Sequence, residues 1–274
     1  MTIPDILALD FDGVCCDGLR EYFEASRRAH ARVWPREPIP GPDRFTAFSA
    51  LRPVILSGWE MPVLLRAIET GASRDEILAG WERVRDEITG ADAALIAELG
   101  HALDQVRREW IATDAESWLA LHRPYGAIAE LSRLVAEPPR TVLVTTKEGE
   151  FARRILDHWG VRVADVQGKE AGGHKCENLR GLITAWAAAH GRRPRLAFVE
   201  DRLETLQHVT RHPDLDDVAL FLAAWGYNTE AARATARANG RIRLLTLEQF
   251  RRGLAAWPLG EAQPEASRAD TEEP

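Results

Sequence analysis

Acidic residues follow two short apolar segments of this 274-residue chain. Asp10 and Asp12 follow the segment ILAL, and Glu200 and Asp201 follow the segment LAFV. Carboxylates brought together repel one another and stay ionised only beside a cation, and ligands that are all oxygen suit a hard ion such as Mg²⁺. One such carboxylate could act as a nucleophile and a second as an acid and base. The two pairs therefore predict a magnesium-dependent site for covalent chemistry.

Groups that suit a phosphate lie at similar places in the sequence. Two threonines follow the apolar run TVLV, and the three lysines of the chain stand near predicted strand ends: Thr145, Thr146, Lys147, Lys169 and Lys175. A threonine hydroxyl, loop amides and a lysine together bind phosphate oxygens. Lys175 opens a predicted helix and is favoured over Lys169 as the lysine beside the phosphate, whereas Lys147 is predicted at the rim.

Alternating strands and helices would position these groups. From residue 123 onward the pattern alternates between apolar strands and amphipathic helices, and one further strand lies near the N-terminus. This pattern predicts an α/β fold with a doubly wound, parallel sheet. Because open α/β sheets bind ligands at the carboxyl ends of their strands, we expect the acids, threonines and lysines to meet there.

The stretch between the first strand and residue 123 is nearly all helical in pattern. Ser73 and Glu76 form a predicted capping box, and the last helices are predicted over 91–111 and 113–121. We therefore expect an inserted, all-helical cap over 19–122. The α/β core would comprise 1–18 and 123–257, and the acidic, proline-containing tail 258–274 is predicted to be disordered.

The order of these motifs resembles the haloacid dehalogenase superfamily of aspartate-nucleophile phosphatases. Its four motifs are matched by DFDGV (10–14), LVTTK (143–147), HKCENL (174–179) and FVEDRLETL (198–206). The segment AAWGYN (223–228) also looks like one found in relatives of phosphoglycolate phosphatase. The resemblance covers about 1–18 and 123–250, and the helical insertion occupies the position of a C1-type cap. It departs from the usual motif because Cys176, rather than proline, follows Lys175.

The resemblance implies a role for each motif residue. Asp10 would attack phosphorus, and Asp12 would protonate the leaving alcohol and then activate water. Thr145, assisted by the Thr146 amide, would bind the phosphate, and Lys175 would offset its charge.

The same resemblance implies a Mg²⁺ ion held by core residues. Its ligands would be Asp10, the backbone carbonyl of Asp12 and Asp201, with Glu200 beside them or as an alternate ligand. Arg52 of the insertion is a candidate for binding a second anionic group of the substrate.

Asp12 separates two chemistries within this superfamily. A halide leaves without a proton whereas an alcohol needs one, so Asp12 favours phosphate ester hydrolysis over dehalogenation. The predicted function is hydrolysis of a small phosphorylated metabolite through an aspartyl-phosphate. A phosphomutase with the same core remains an alternative, as does a non-enzymatic interaction protein on this fold.

Composition limits the remaining possibilities. The net charge of −7 argues against a nucleic-acid-binding protein, and the sequence has no apolar run long enough to span a membrane. Three cysteines, two of them adjacent, suggest a reducing compartment and no metal site of paired cysteines. With no signal-peptide pattern at the N-terminus, we expect a cytoplasmic protein. His208 and His212 are interpreted as residues of a surface helix.

Overall fold

The computed structural model describes residues 3–136, 138–172 and 174–259. Six strands form a parallel sheet in the order β5-β4-β1-β6-β7-β8, and two short strands, β2 and β3, pair separately. The strands are β1 (Ile6–Leu9), β2 (Cys16–Asp17), β3 (Arg123–Pro124), β4 (Arg140–Val144), β5 (Asp165–Gln167), β6 (Leu196–Glu200), β7 (Ala219–Ala223) and β8 (Ile242–Leu245).

Helices cover both faces of the sheet and fill the insertion. The first five are α1 (Leu19–Val33), α2 (Phe45–Leu51), α3 (Glu60–Glu69), α4 (Arg74–Thr89) and α5 (Ala93–Leu119). The remaining six are α6 (Ile128–Ala136), α7 (Gly149–Trp159), α8 (Lys175–His190), α9 (Leu203–Val209), α10 (Glu230–Ala238) and α11 (Leu247–Arg252).

Strand β1 lies in the middle of the sheet and is buried on both faces, as its continuous apolar sequence predicts. Side chains alternate between the two faces of a strand. Leu7 and Leu9 therefore pack in one apolar cluster with α6 and α7, whereas Ile6 and Ala8 pack in a second cluster with α8, α9 and α10. Leu9 is paired on both sides, with β4 and with β6, so that the residues following all three strands reach the same edge.

The chain leaves and re-enters the core through the antiparallel pair β2–β3, with helices α1 to α5 between them. The predicted capping box of Ser73 and Glu76 opens α4. The two helices predicted over 91–111 and 113–121 correspond to the two parts of α5, which meet at a kink where the backbone of Asp114 leaves helical geometry. The short helix α2 was not predicted from the sequence.

A buried ion pair joins the first and last helices of the insertion. The Arg107 guanidinium on α5 donates two hydrogen bonds to the Glu21 carboxylate on α1, at 2.7 and 3.0 Å, and the Trp118 indole donates a third at 3.2 Å. Burial alone would raise the pKa of Glu21, but the charge and hydrogen bonds of Arg107 together with the charge of Lys147 outweigh burial and lower this pKa to about 2. Glu21 therefore stays ionised inside the protein and depends on Arg107.

Two further sequence predictions concern the C-terminal tail and the absence of membrane-spanning segments. The tail predicted to be disordered, 258–274, lies outside the described residues apart from 258 and 259. Within the described ranges, no helix is both long enough and apolar enough to cross a lipid bilayer.

Replacing Arg107 tests the buried ion pair. We expect Arg107→Met to lower the free energy of unfolding by about 3–5 kcal/mol, because it leaves the Glu21 charge buried and unpaired. The double variant Glu21→Gln/Arg107→Met should recover much of this loss. Urea denaturation measures all three proteins.

The control lies on the same two helices. Arg32 on α1 pairs with Glu109 on α5 at the surface, where an ion pair contributes little. Arg32→Met should therefore change stability much less than Arg107→Met. Equal losses in the two single variants would contradict a special role for the buried pair.

Candidate active site

Three carboxylates meet at the carboxyl edge of the sheet. Asp10 follows β1, Glu200 ends β6 and Asp201 follows it, and each offers an oxygen within 4.8 Å of the others. Burial removes water from these charges and raises the pKa of both Asp10 and Glu200 to about 7. The pKa of Asp201 is raised in the same direction, mainly by burial. The three buried carboxylates therefore need positive charge beside them to remain ionised.

Lys175 provides the ammonium that faces this cluster. As the first residue of α8 it places Nζ 2.7 Å from Asp10 Oδ1 and 2.5 Å from Glu200 Oε2. Burial alone would lower the pKa of Lys175, but the two carboxylates outweigh burial and raise it. Lys175 thus remains charged and holds Asp10 and Glu200 together.

Lys169, the alternative lysine, lies elsewhere. Its Nζ is 2.9 Å from Asp104 Oδ2 on α5, and its side chain is 58% exposed. In the described part of the chain, the cavity above Asp10 is lined by Lys147 and Lys175 and not by Lys169. In this structure an acidic residue of the insertion therefore holds Lys169 outside the cavity above Asp10.

The loop after β7 fixes Asp201. The backbone N–H of Tyr227 donates to Asp201 Oδ2 at 2.8 Å, and the Asn228 side chain donates to the Asp201 carbonyl at 3.0 Å. Gly226 permits this approach, since a Cβ there would lie 2.3 Å from Asp201 Cβ and 2.7 Å from the Gly13 carbonyl oxygen. The segment AAWGYN thus orients the fourth-motif aspartate.

The donor chemistry fits a magnesium ion between Asp10 and Asp201. All the acids are oxygen ligands, which Mg²⁺ prefers, and a cation would relieve the cost of their burial. A Cβ at Gly13 would lie 2.0 Å from Asp201 Oδ2, so this glycine keeps the space around the carboxylate open. Both oxygens of Glu200 are already hydrogen-bonded, to Lys175 and to the backbone N–H groups of Asp201 and Arg202. Glu200 therefore serves better to position Lys175 than to bind the ion.

Asp12 lies two residues beyond Asp10 and points toward the insertion. Its Oδ2 is 3.4 Å from the ammonium of Lys147, and its Oδ1 is buried without a hydrogen-bond partner. Lys147 was predicted at the rim, yet its side chain is only 3% exposed, and its ammonium lies 5.1 Å from the centre of the Tyr22 ring. The helix of the insertion that carries Tyr22 covers Lys147, which the sequence did not reveal.

The second strand-end motif also reaches the site. Thr145 is buried and Thr146 is exposed, and both line the cavity above Asp10. The Thr145 hydroxyl accepts a hydrogen bond of 3.1 Å from the Lys147 backbone N–H. This hydrogen bond stabilises the bend of the chain directly after β4.

The insertion covers these groups and leaves a partly open cavity of about 140 Å³ above them. Arg52 lines it and lies between two aromatic rings, 5.2 Å from the centre of Tyr22 and 4.7 Å from that of Tyr227. The Arg52 Nε is buried without a hydrogen-bond partner. Arg107 also lines the cavity. Tyr22 and Arg107 were missed in the sequence because they belong to ordinary helical patterns with no motif.

Three polar links connect the insertion to the core around this cavity. Lys169 binds Asp104, and the Arg108 guanidinium lies 2.6 Å from the Glu148 carboxylate. Arg202 follows the Glu200–Asp201 pair in the chain, and its guanidinium donates a hydrogen bond to the backbone carbonyl of Ile55. The insertion therefore contacts the core directly beside the cavity.

Comparison with known proteins identifies the fold. No family model and no curated protein matches the sequence. A proposed phosphoglycolate phosphatase from Lactobacillus delbrueckii subsp. bulgaricus matches 91% of this chain and 98% of its own, with a TM-score of 0.59 and 12% identity. A haloacid dehalogenase-like hydrolase from Streptococcus pneumoniae covers 90% and 96%, with a TM-score of 0.54 and 12% identity.

A third similar structure bears a different description. Protein tyrosine kinase A from Mycobacterium tuberculosis covers 84% of this chain and 88% of its own, with a TM-score of 0.52 and 22% identity. At these identities the similarity concerns the fold. The protein has a haloacid dehalogenase-like fold, and the prediction of an α/β parallel sheet with an inserted helical cap is confirmed.

Magnesium should stabilise the protein through the acidic cluster. A ligand that binds only the folded state raises its stability, and here it would also offset repulsion between buried carboxylates. We expect excess Mg²⁺ at pH 8 to raise the melting temperature by several degrees, measured by differential scanning fluorimetry. Asp201→Asn should abolish this rise, whereas Asp165→Asn at an exposed position should keep it. An undiminished rise in Asp201→Asn would contradict this cation site.

Gly226 provides a second test of the site. We expect Gly226→Ala to lower the free energy of unfolding by about 1–3 kcal/mol through overpacking and to weaken the magnesium-dependent rise in melting temperature. Gly240→Ala is the matched control, because a Cβ at Gly240 would meet no atom within 4 Å. If the two variants behave alike, close packing at Gly226 does not position Asp201.

Proposed function

We propose that the protein is a magnesium-dependent phosphoric monoester hydrolase that acts through an aspartyl-phosphate intermediate on Asp10. The observation that carries this proposal is the pairing of Asp10 with Lys175 at 2.7 Å in the lining of the cavity under the insertion, with Asp12 two residues further on. This arrangement combines a nucleophile, its counter-charge and an acid–base group within reach of one bound phosphate.

The first step transfers the phosphoryl group to the protein. A carboxylate oxygen of Asp10 attacks phosphorus, the bond between phosphorus and the ester oxygen breaks, and Asp12 gives its proton to the leaving alcohol. In the second step Asp12 takes a proton from water, and the water oxygen attacks phosphorus. The bond between phosphorus and Asp10 then breaks, which releases inorganic phosphate and restores the Asp10 carboxylate.

Residues around Asp10 would hold the phosphate during both steps. Lys175 offsets the charge shared by Asp10 and the phosphoryl group, and the Thr145 hydroxyl and Thr146 N–H bind phosphate oxygens. Glu200 positions Lys175 through its 2.5 Å contact. A magnesium ion bound by Asp10, Asp201 and the Asp12 carbonyl would supply positive charge that screens the nucleophile from the anionic ester.

The size and lining of this cavity favour a small phosphorylated metabolite as substrate. Its volume of about 140 Å³ suits a small molecule, and Arg52 of the insertion and Lys147 of the core bring positive charge to its lining. We infer that these two residues bind polar or anionic groups of the substrate. The three cysteines are free and buried, which supports a reducing, cytoplasmic environment.

Hydrolysis of p-nitrophenyl phosphate tests the proposal. We expect turnover that requires Mg²⁺ and falls by about 10³-fold or more in Asp10→Asn, because an amide cannot replace the carboxylate nucleophile. Asp157→Asn, at an exposed position on α7, should retain wild-type activity. Unchanged turnover in Asp10→Asn would refute the mechanism.

Asp12→Asn separates the two steps. The p-nitrophenolate group leaves without a proton, so the first transfer should persist while hydrolysis of the intermediate slows. We expect a burst of p-nitrophenol and a phosphoryl adduct on Asp10, seen by mass spectrometry. Added alcohols and sugar phosphates test the acceptor. Transfer of the phosphoryl group to a sugar phosphate instead of water would identify a phosphomutase. Transfer to the hydroxyl of an added tyrosine peptide would identify the activity named for the mycobacterial kinase.

A further inference from the structure

A second cluster of potential metal ligands lies outside the candidate active site. Cys176 in the first turn of α8, His208 on α9 and His212 just beyond α9 each offer a ligand atom within 4.8 Å of the others. The sequence separates the cysteine from the histidines by more than 30 positions, so that only packing of α8 against α9 brings them together. The interpretation of the histidines as plain surface-helix residues missed this neighbour.

The spacing of the two imidazoles suits a tetrahedral ion. The Nε2 atoms of His208 and His212 face each other at 3.4 Å. Zinc binds imidazole nitrogen at about 2.0–2.1 Å, and at a tetrahedral angle two such nitrogens lie about 3.3–3.4 Å apart. The pair is therefore already at the separation that a shared zinc ion requires.

The chemistry of the donors differs from that of the acidic site. A thiolate and two imidazoles are the ligands of Zn²⁺ and related transition metals, whereas Mg²⁺ prefers oxygen. A histidine binds a metal through its neutral ring, and the geometry of the two imidazoles presents both Nε2 atoms to one point. The Cys176 side chain is nearly buried, with 2% of the residue exposed, and burial raises the pKa of its thiol. Metal binding there would release the thiol proton.

Access to the cluster is open on the imidazole side. His208 is exposed and His212 is half-buried, while Cys176 forms the floor. The ring of His174 lies 6.0 Å, centre to centre, from that of His208, close enough to supply a fourth ligand after a change of rotamer, with water as the alternative.

We propose that Cys176, His208 and His212 form a second cation site that binds Zn²⁺. It is independent of the phosphatase proposal, since none of its ligands belongs to the acidic cluster. An ion there would tie the first turn of α8, where Lys175 precedes Cys176, to α9, which begins two residues after Asp201. A bound ion would therefore fix the position of α8, which carries Lys175, relative to α9, which directly follows the Asp201 loop.

Cobalt provides the spectroscopic probe for this site. The full-length protein, held in excess Mg²⁺ to occupy the acidic cluster, is titrated with Co²⁺ under reducing conditions. We expect one equivalent to give the visible absorption of tetrahedral Co²⁺ together with a thiolate-to-cobalt charge-transfer band, and Zn²⁺ to remove both. A wild-type protein that gives no tetrahedral cobalt spectrum would overturn the proposal.

Variants test the ligand assignment. Cys176→Ser should lose the charge-transfer band, and His208→Asn, at an exposed position that tolerates substitution, should weaken cobalt binding about tenfold or more. His158→Asn, an exposed histidine on α7, is the matched control and should bind as the wild type does. Retention of the charge-transfer band in Cys176→Ser, or unchanged affinity in His208→Asn, would overturn the proposal.

Discussion

The structure depends on the burial of three carboxylates beside a single lysine. Asp10, Glu200 and Asp201 have lost most of their water, and Lys175 contacts only two of them. The cluster is left with excess negative charge in a medium where charge is costly. We expect this excess negative charge to give the cluster its affinity for a cation. A bound cation would in turn reduce the repulsion between the cluster and an anionic substrate. Burial thus drives both the metal and the phosphate chemistry proposed for the site.

Strand order supplies the geometry that this cluster needs. With β1 between β4 and β6, the residues that follow three neighbouring strands share one edge. The loop after β7 adds the support for Asp201, and the insertion departs directly from the loop that carries Asp12. A substrate at this edge therefore contacts core and insertion together, so that the position of the insertion governs access to Asp10.

The sequence was sufficient to predict the position of a candidate site residue where that residue lies at the end of a strand or the start of a helix. The positions of Asp10, Thr145, Lys175 and Asp201 could be predicted because apolar strands and their polar ends are local signals. Contacts between distant segments could not, because nothing local encodes them. The burial of Lys147 under Tyr22 depends on a helix of the insertion, and the approach of Cys176 to the histidines depends on how α8 and α9 pack. The division of α5 near residue 112 was predictable from the local sequence, and the structure has a kink at Asp114.

The links between insertion and core differ in their sensitivity to salt. The ion pairs of Lys169 with Asp104 and of Arg108 with Glu148 lie at the surface, with their cationic side chains more than half exposed. Exposed pairs contribute little net free energy and are screened by salt. The lasting contact between insertion and core is therefore the buried packing of Trp110 and Trp118 of α5 against core residues such as Phe151, and salt weakens only the polar contacts at its rim.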